Sequence, residues 1–177
     1  MIYFLYAFLV LVLDQFTKWL IVRNLELYET IPVLGNFLSI TSHRNKGAAF
    51  SILQNQRLFF LVITTFVIIG IVWYLRKVIK ENRKLLPVAL SLALGGALGN
   101  YIDRALFGEV VDFIQCHFVF SILGWDVDYI FPIFNVADSG VVIGFGLVFL
   151  DTLLDWRKER RGEVHELDDG IVGNGQS

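Results

Sequence analysis

Two aspartates among apolar neighbours are the strongest candidates for chemistry in this sequence. Asp112 lies in the stretch GEVVDF (108–113), and Asp138 lies in FPIFNVADS (131–139). If both carboxyl groups share one site, they cannot both ionise readily, so the pair holds one shared proton. The charged member can then take a proton from water while the other protonates a carbonyl oxygen. Residue types alone leave two alternatives: Asp112 as a solvated loop carboxylate, and Asp138 as a helix N-terminal residue favoured by the helix dipole.

A second cluster of polar residues lies at the end of the apolar stretch that ends near residue 102. Asn100, Asp103 and Arg104 are one helical turn apart and therefore project together. This cluster is either an anchor at the membrane interface or an edge that binds substrate, and spacing does not separate the two. Gly95 and Gly99 form a small-x-x-x-small face that lets a neighbouring helix approach closely.

A third polar group lies inside the first apolar stretch. Asp14 and Lys18 are four residues apart, so a helix places them on one face where they can pair. Their functional interpretation is a proton or ion relay. The structural interpretation is favoured, because a close pair is the least costly way to bury two charges.

The elements that must position these residues are membrane spans. The chain has 177 residues, of which 55% are hydrophobic and 18% charged, and its mean hydropathy is +0.61. A helix needs about 20 apolar residues to cross the hydrocarbon core. Four segments qualify: 2–22, 58–75, 85–102 and 136–154. The sequence therefore predicts an α-helical integral membrane protein with four transmembrane helices, and the net charge of −2 does not indicate a nucleic-acid partner.

Basic residues predict the orientation of the spans. Five lie between positions 76 and 84 and four between 157 and 161, which is nine of the 15 Lys and Arg residues. By the positive-inside rule, both termini are cytoplasmic, and the loops 23–57 and 103–135 face the other side. The membrane domain is expected over 1–156. Residues 157–177 are expected to form a cytoplasmic tail, disordered from about residue 162, where it is acidic and Gly-rich.

The two outer loops carry weaker patterns. Alternation over 38–43 predicts a strand, and Asn45-Lys46-Gly47 resembles a turn between two short strands. We therefore expect a small sheet between the first two helices, at the outer membrane surface. The segment 115–130 has no assignable motif, and we hypothesise either a lid or an aromatic interface anchor. The single Cys116 excludes an intrachain disulfide, and the three His residues lack metal-ligand spacing, so no metal is expected.

Taken together, five segments resemble the lipoprotein signal peptidase (signal peptidase II) family. They occur in the family's order: LDQFTK (13–18), TSHRNKGAAF (41–50), GGALGNYIDR (95–104), GEVVDF (108–113) and FPIFNVADS (131–139). The resemblance covers most of the chain before the tail. The segment 115–130 departs from it, because it looks longer than in the family's shorter members.

The resemblance implies an intramembrane aspartyl endopeptidase of the bacterial cytoplasmic membrane, with its site near the outer face and no cofactor. Its substrate would be a prolipoprotein whose Cys carries a diacylglyceryl group, cleaved on the amino side of that Cys. The implied catalytic residues are Asp112 and Asp138. The residues implied to line the substrate groove or position the two aspartates are Asn45, Gly47, Asn100, Arg104 and Asn135. Those implied to hold the architecture are Asp14, Lys18 and Asp103, and the outer sheet would be the family's small β-cradle.

Two rival functions are open on the sequence alone. The first is a small four-helix proton-coupled transporter that uses Asp14 and Lys18; the long loop 23–57 argues against it. The second is a non-catalytic anchoring subunit, in which neither outer aspartate matters chemically. Besides substrate, the expected partner is membrane lipid, and the expected state is a monomer, since one chain could enclose the site.

Overall fold

The computed structural model describes residues 1–47, 53–81, 83–122 and 124–173 of the chain. The end of the second family-like segment, residues 48–50, and the last four residues of the predicted tail lie outside the described residues. Within these residues, side-chain placement is described as far as residue 158, except at Ile122, and again at Arg160.

Four long helices carry the four predicted spans. Their bounds are α1 Ile2–Asn24, α2 Arg57–Lys80, α3 Leu85–Phe107 and α4 Val136–Gly173. Each has a window long and apolar enough to cross a membrane, which in α4 ends at Lys158. At 1.5 Å per residue, the 23 residues of α3 extend about 34 Å, enough for a hydrocarbon core of about 30 Å. The prediction of a four-helix membrane protein is confirmed.

The fourth helix differs from its prediction at its far end. Its backbone is helical to Gly173, whereas the sequence predicted disorder from about residue 162. The segment just after the span is rich in Arg, Lys and Glu, which favour a helix once the preceding turns have nucleated it.

The third helix is the centre of the bundle and packs against the other three. Its glycines permit this: a Cβ added at Gly95 would lie 2.5 Å from the carbonyl oxygen of Ala7 on α1. A Cβ at Gly96 would overlap the carbonyl oxygen of Ala137 on α4, and one at Gly99 would overlap the Asp14 carboxylate. The predicted small-residue face therefore does allow close neighbours, on two sides of α3.

One antiparallel four-stranded sheet lies beside the bundle, in the order β1-β2-β3-β4. The strands are β1 Thr30–Leu34, β2 Leu38–Asn45, β3 Val110–Ile122 and β4 Trp125–Ile130. The first two form the predicted sheet between α1 and α2. The last two come from the loop between α3 and α4, so the sheet is twice as wide as the sequence indicated.

The register of β2 and β3 brings the two outer loops together. His43 lies opposite Asp112, and Asn45 lies opposite Val110, after an irregularity between Ile40 and His43. β2 ends at Asn45, where the turn Asn45-Lys46-Gly47 was predicted, and the residues that would follow this turn, 48–52, lie outside the described residues. The turn that joins β1 to β2 lies between Leu34 and Leu38, where Gly35 adopts a left-handed φ of +51°.

Candidate active site

The first turn of α4 positions Asp138 through a reciprocal cap. Asp138 donates its backbone N–H to Asn135 Oδ1 over 2.9 Å, and the Asn135 backbone N–H donates back to Asp138 Oδ2 over 3.2 Å. This is the capping-box arrangement, in which a cap residue and the residue three positions later satisfy each other's N–H groups. The Asp138 carboxylate is therefore fixed at the positive end of the helix dipole.

Asp112 reaches the same site from β3. It is only 2% exposed, and its two oxygens accept hydrogen bonds from Asn45 Nδ2 at 3.0 Å and Asn135 Nδ2 at 2.8 Å. Burial, and then the nearby Asp138 carboxylate, raise the pKa of Asp112 to about 7, against the lowering effect of the two amides. Near neutral pH this carboxyl group is therefore poised between its protonated and ionised forms.

Asn135 connects the two aspartates and is fully buried. One amide nitrogen serves Asp112, while the amide oxygen serves the Asp138 backbone. The same nitrogen also donates to Asn100 Oδ1 at 3.1 Å. Its hydrogen-bonding groups are thus already engaged by the protein, which fits the implied positioning role and leaves little capacity for substrate.

Asn100 on α3 completes the link from the other side. Its amide nitrogen donates to Asp138 Oδ1 at 2.7 Å. Its amide oxygen accepts from Lys18 Nζ at 2.9 Å as well as from Asn135. Because two donors hold the oxygen, the NH₂ end of Asn100 must face Asp138.

Beneath these residues lies a buried ionic network. Lys18 Nζ is 2.8 Å from both Asp14 Oδ2 and Asp103 Oδ2, so the predicted pair is a triad. Asp14 Oδ1 accepts the Ala137 backbone N–H at 2.8 Å, which satisfies another N–H group of the first turn of α4. Asp103 Oδ2 accepts the Val111 N–H at 3.2 Å, next to Asp112. The triad therefore contacts the backbone beside both aspartates.

Gln15 also belongs to this network, although it was not among the residues predicted from the sequence to form the site. Its amide nitrogen donates to Asp103 Oδ1 at 2.9 Å and contacts Asp14 Oδ2 and the Gly99 carbonyl at 3.2 Å. Its signal in the sequence was a polar residue in an apolar span, beside Asp14. A single chain position does not reveal which distant helix such a residue meets.

His43 is one of the three histidines that lack metal-ligand spacing in the sequence, and the sheet places it across from Asp112. Its pKa is lowered by burial and then by the neighbouring Arg44. His43 is therefore neutral near pH 7 and adds no positive charge beside the aspartates.

An open groove of about 600 Å³ leads from the aspartates along α4. Its polar end is formed by five of the predicted site residues: Asn45, Asn100, Arg104, Asp112 and Asp138. Its other walls are apolar: Val110, Phe131, Pro132, Ile133, Phe134, Val141, Val142 and Ile143, with Ser139 the exception. The groove can thus hold an extended, mostly apolar ligand with its polar backbone at the carboxylates.

Arg104 spans the groove's polar end. Its guanidinium donates to the Gly47 carbonyl at 3.0 Å and stacks 4.8 Å from the centre of the Phe60 ring. The Gly47 N–H in turn donates to Asn45 Oδ1 at 2.9 Å. The structure therefore brings all the predicted site residues into one connected region, either at the groove or directly beneath it. Within the described part of the chain, no three His, Cys, Asp or Glu side chains are grouped to hold a metal ion.

The fold and the site together define a class: a polytopic membrane protein with two carboxyl groups at the end of a groove beside the bundle. The family model for signal peptidase (SPase) II matches residues 6–154. The chain belongs to the signal peptidase II family.

Similar proteins support this assignment at high identity. The chain is 50% identical over 161 residues to a lipoprotein signal peptidase of Halalkalibacterium halodurans, covering 91% of this chain and 97% of the relative. It is 52% identical over 160 residues to that of Bacillus pumilus, covering 90% and 97%. The same comparison with Bacillus subtilis gives 50% over 161 residues, covering 91% and 99%.

Solved structures also resemble this fold. Two described as bacterial membrane enzymes, determined by the in meso method, are each 42% identical to the chain. One has a TM-score of 0.74 and the match covers 86% of this chain and 88% of that one. The other has a TM-score of 0.70, with 85% and 92% covered.

Proposed function

We propose that this protein is an intramembrane aspartyl endopeptidase that removes the signal peptide from diacylglyceryl-modified prolipoproteins, on the amino side of the lipidated Cys. The observation that carries the proposal is the pair Asp112 and Asp138, joined through Asn135 at the polar end of an apolar groove. The names of the relatives give the substrate class. The proton-coupled transporter is not favoured, because Asp14 and Lys18 are buried and already paired within the protein.

The two aspartates take different roles in the proposed reaction. Asp138 lies at a helix N-terminus and accepts two N–H groups, so it carries the negative charge and acts as the base on water. Asp112, with its raised pKa, holds the proton and donates it to the scissile carbonyl oxygen. When the tetrahedral intermediate collapses, the C–N bond breaks and the leaving nitrogen takes the proton from Asp138. Asp112 recovers its proton from the hydroxyl that becomes the new carboxyl group.

The groove residues hold the substrate in this proposal. Arg104 offers further donors to peptide carbonyls beyond its bond to Gly47, and the amides of Asn45 and Asn100 lie beside the reacting groups. Asn135 is a positioning residue, since it is buried and contacts both aspartates. The apolar wall of Phe131, Val142 and its neighbours suits lipid chains that remain in the bilayer.

We further propose that both termini are cytoplasmic and that the site faces the outer side of the membrane. The basic clusters after α2 and after the span of α4 support this orientation. Arg83, which follows α2, contacts Asp151 and Asp155 of α4, so both clusters lie at the same end of the bundle. The site lies where α4 begins, at the opposite end. Because one chain supplies every described site residue, we propose a monomer.

The test is cleavage of a diacylglyceryl-modified prolipoprotein by purified protein in lipid. Wild type should release the signal peptide, and Asp112→Asn and Asp138→Asn should each lose turnover while remaining folded. Asp128→Asn is the matched control, because this exposed aspartate lies away from the groove on β4. Near-normal turnover by either site variant would refute the two-aspartate mechanism and would favour the alternative in which Asp14 is the functional carboxylate.

A further inference from the structure

The outer part of the β3–β4 hairpin projects beyond the rest of the sheet. The pairing of β2 with β3 ends at Leu38 and Cys116. From Phe118 to Tyr129, the two strands pair only with each other among the described strands. A two-stranded ribbon is at best marginally stable in water, so its stability requires that one face be packed against something.

The register gives this ribbon two chemically different faces, because directly paired residues share a face. On one face, Phe118 pairs with Tyr129 and Phe120 pairs with Val127. Trp125 lies on the same face, two residues before Val127. We call this the aromatic face. All five residues are apolar or aromatic.

The opposite face is largely polar. Val119 pairs with Asp128, and Ser121 pairs with Asp126. Asp128 also contacts His117 Nε2 at 2.6 Å, and the Ser121 hydroxyl bonds the Asp126 carboxylate. Asp128 and Asp126 thus each have a polar partner, as is usual for carboxylates on a surface that faces water.

Protein does not cover the aromatic face in the part of the chain that the structure describes. Trp125 is 77% exposed and Phe120 is 50% exposed, and Tyr129 is also exposed. The ring of Phe37 packs on Phe118 with centroids 5.3 Å apart, at the base of the ribbon only. A contiguous apolar surface of this kind is typical of a contact with another phase or partner.

The position of the ribbon in the chain identifies the membrane as that phase. β3 begins three residues after α3 ends at Phe107, and α4 begins six residues after β4 ends at Ile130. Both helices are membrane spans. Both connections are short, so the base of the ribbon lies at the membrane surface from which its strands emerge, and its six paired positions extend about 20 Å from there.

The residue types favour the lipid interface over a protein partner. Trp and Tyr combine an apolar ring with a polar group and concentrate at the headgroup level of bilayers. Segment 115–130 contains no Lys or Arg and two Asp residues, so attraction to anionic lipid does not contribute. Insertion driven by apolar side chains needs no lipid charge.

We propose that the β3–β4 ribbon is a lipid anchor whose aromatic face enters the boundary between headgroups and acyl chains on the active-site side of the membrane. β3 carries Asp112 at its other end, and Phe131, immediately after β4, lines the groove. The anchor thereby holds the strand that carries Asp112 at a constant depth beside the lipid phase. This inference is independent of the proposed cleavage reaction.

The test measures the depth of Trp125 in bilayers. A single-tryptophan protein is made by changing Trp19, Trp73 and Trp156 to Phe, and it is reconstituted into phosphatidylcholine brominated on the acyl chains. We expect Trp125 fluorescence to fall at least twofold relative to unbrominated lipid, with iodide quenching severalfold weaker than for free tryptophan. Adding 30% anionic phosphatidylglycerol should leave both values unchanged.

Two neighbouring substitutions provide matched variants. Phe120→Asp places a charge on the aromatic face, and Val119→Asp places the same charge one residue away on the opposite face, at a similarly exposed position. We expect Phe120→Asp to abolish most bromolipid quenching and Val119→Asp to preserve it. Circular dichroism of each variant verifies that it is folded.

Three results would overturn the proposal. Quenching by iodide as strong as for free tryptophan, with no bromolipid effect, would place the ribbon in water. Shielding of Trp125 from both quenchers would mean that protein covers the face, either another chain or a second copy. Equal loss of bromolipid quenching in both charge variants would show that the two faces are not distinguished by the membrane.

Discussion

Replacing Asn45 by Ala should shift the alkaline side of the pH profile to higher pH. The Asn45 amide donates to Asp112 Oδ2 at 3.0 Å, and this bond stabilises the ionised carboxylate. Without this bond, burial and the Asp138 charge still raise the pKa of Asp112, and one of the two amides that lower it is gone. The pKa of Asp112 therefore rises above its value of about 7. In the proposed mechanism Asp112 is the proton donor, so activity persists to higher pH.

The size of the shift follows from one hydrogen bond to a charged group. Such a bond contributes about 1.5–3 kcal/mol net, and water entering the open groove replaces part of it. A remaining effect of about 1.4 kcal/mol corresponds to about one pH unit. The alkaline limb of kcat/KM is therefore expected near pH 8 in the variant instead of near pH 7. The absolute rate falls as well, because Asn45 also contacts the groove.

The matched variant is Asn100→Ala, which removes the equivalent amide from the other aspartate. Asn100 donates to Asp138 Oδ1 at 2.7 Å and is not one of the groups that hold the pKa of Asp112. Its loss should therefore lower the rate while the alkaline limb stays in place. The assay is kcat/KM for release of the signal peptide from pH 4.5 to pH 9.5, in one lipid composition.

The contrast between the two variants separates an effect on Asp112 from general damage to the site. A structural defect lowers the rate at every pH and does not move the alkaline limb. If Asn100→Ala moves the alkaline limb as far as Asn45→Ala does, the shift does not report the hydrogen bond from Asn45 to Asp112. If Asn45→Ala leaves the alkaline limb in place, its amide does not control the ionisation of Asp112, and the reasoning from this hydrogen bond is wrong.

Three further predictions concern stability. Lys18→Met should lower the unfolding free energy by about 3–5 kcal/mol, because the carboxylates of Asp14 and Asp103 lose their shared cation. Thermal unfolding in lipid measures this, and an unchanged midpoint would contradict it. Gly99→Ala should destabilise the protein by about 1–3 kcal/mol, because the added methyl group would overlap the Asp14 carboxylate across the helix contact. Gly146→Ala, whose added methyl group would meet no atom within 4 Å, should not destabilise it, and equal thermal unfolding midpoints for the two variants would contradict the close packing. Asp112→Asn should stabilise the protein by about 2–3 kcal/mol more at pH 8 than at pH 5. The pKa of Asp112 is raised from 3.8 to about 7 by folding, so wild type loses stability as the pH rises through this interval and the Asn variant does not. An equal effect at both pH values would refute the raised pKa.

The membrane helices and the small-residue contact were predictable because both depend on local composition. A run of about 20 apolar residues has few stable alternatives to a spanning helix. The spacing of Gly95 and Gly99 indicated a close approach, although it did not identify the two neighbours as α1 and α4. Strand β2 was equally visible from its alternation.

The long-range contacts could not be read in this way. β3 pairs with β2 across about 70 residues of sequence, and Val110 to Ile122 contains runs of apolar residues without clean alternation. The predicted pairing of Lys18 with Asp14 was correct but incomplete, because Asp103 is distant in sequence. The contacts of a polar side chain depend on how each helix is rotated about its axis, and a single sequence does not determine that rotation.

The asymmetry between the two aspartates arises from the elements that carry them. A strand offers Asp112 no dipole and, deep between the sheet and the bundle, little water, so its neutral form is favoured. The first turn of a helix offers Asp138 unpaired N–H groups, and the Lys18 triad beneath it fixes both Asn100 and the backbone of that turn. In the proposed mechanism, two identical carboxyl groups thus take the roles of acid and base through their positions in the fold. Neutral asparagines connect them and add no further charge to the site. Exchanging Asn135 for Asp would therefore do more harm to the activity than exchanging it for Ala, because a third carboxylate beside Asp112 would add like-charge repulsion that Ala does not.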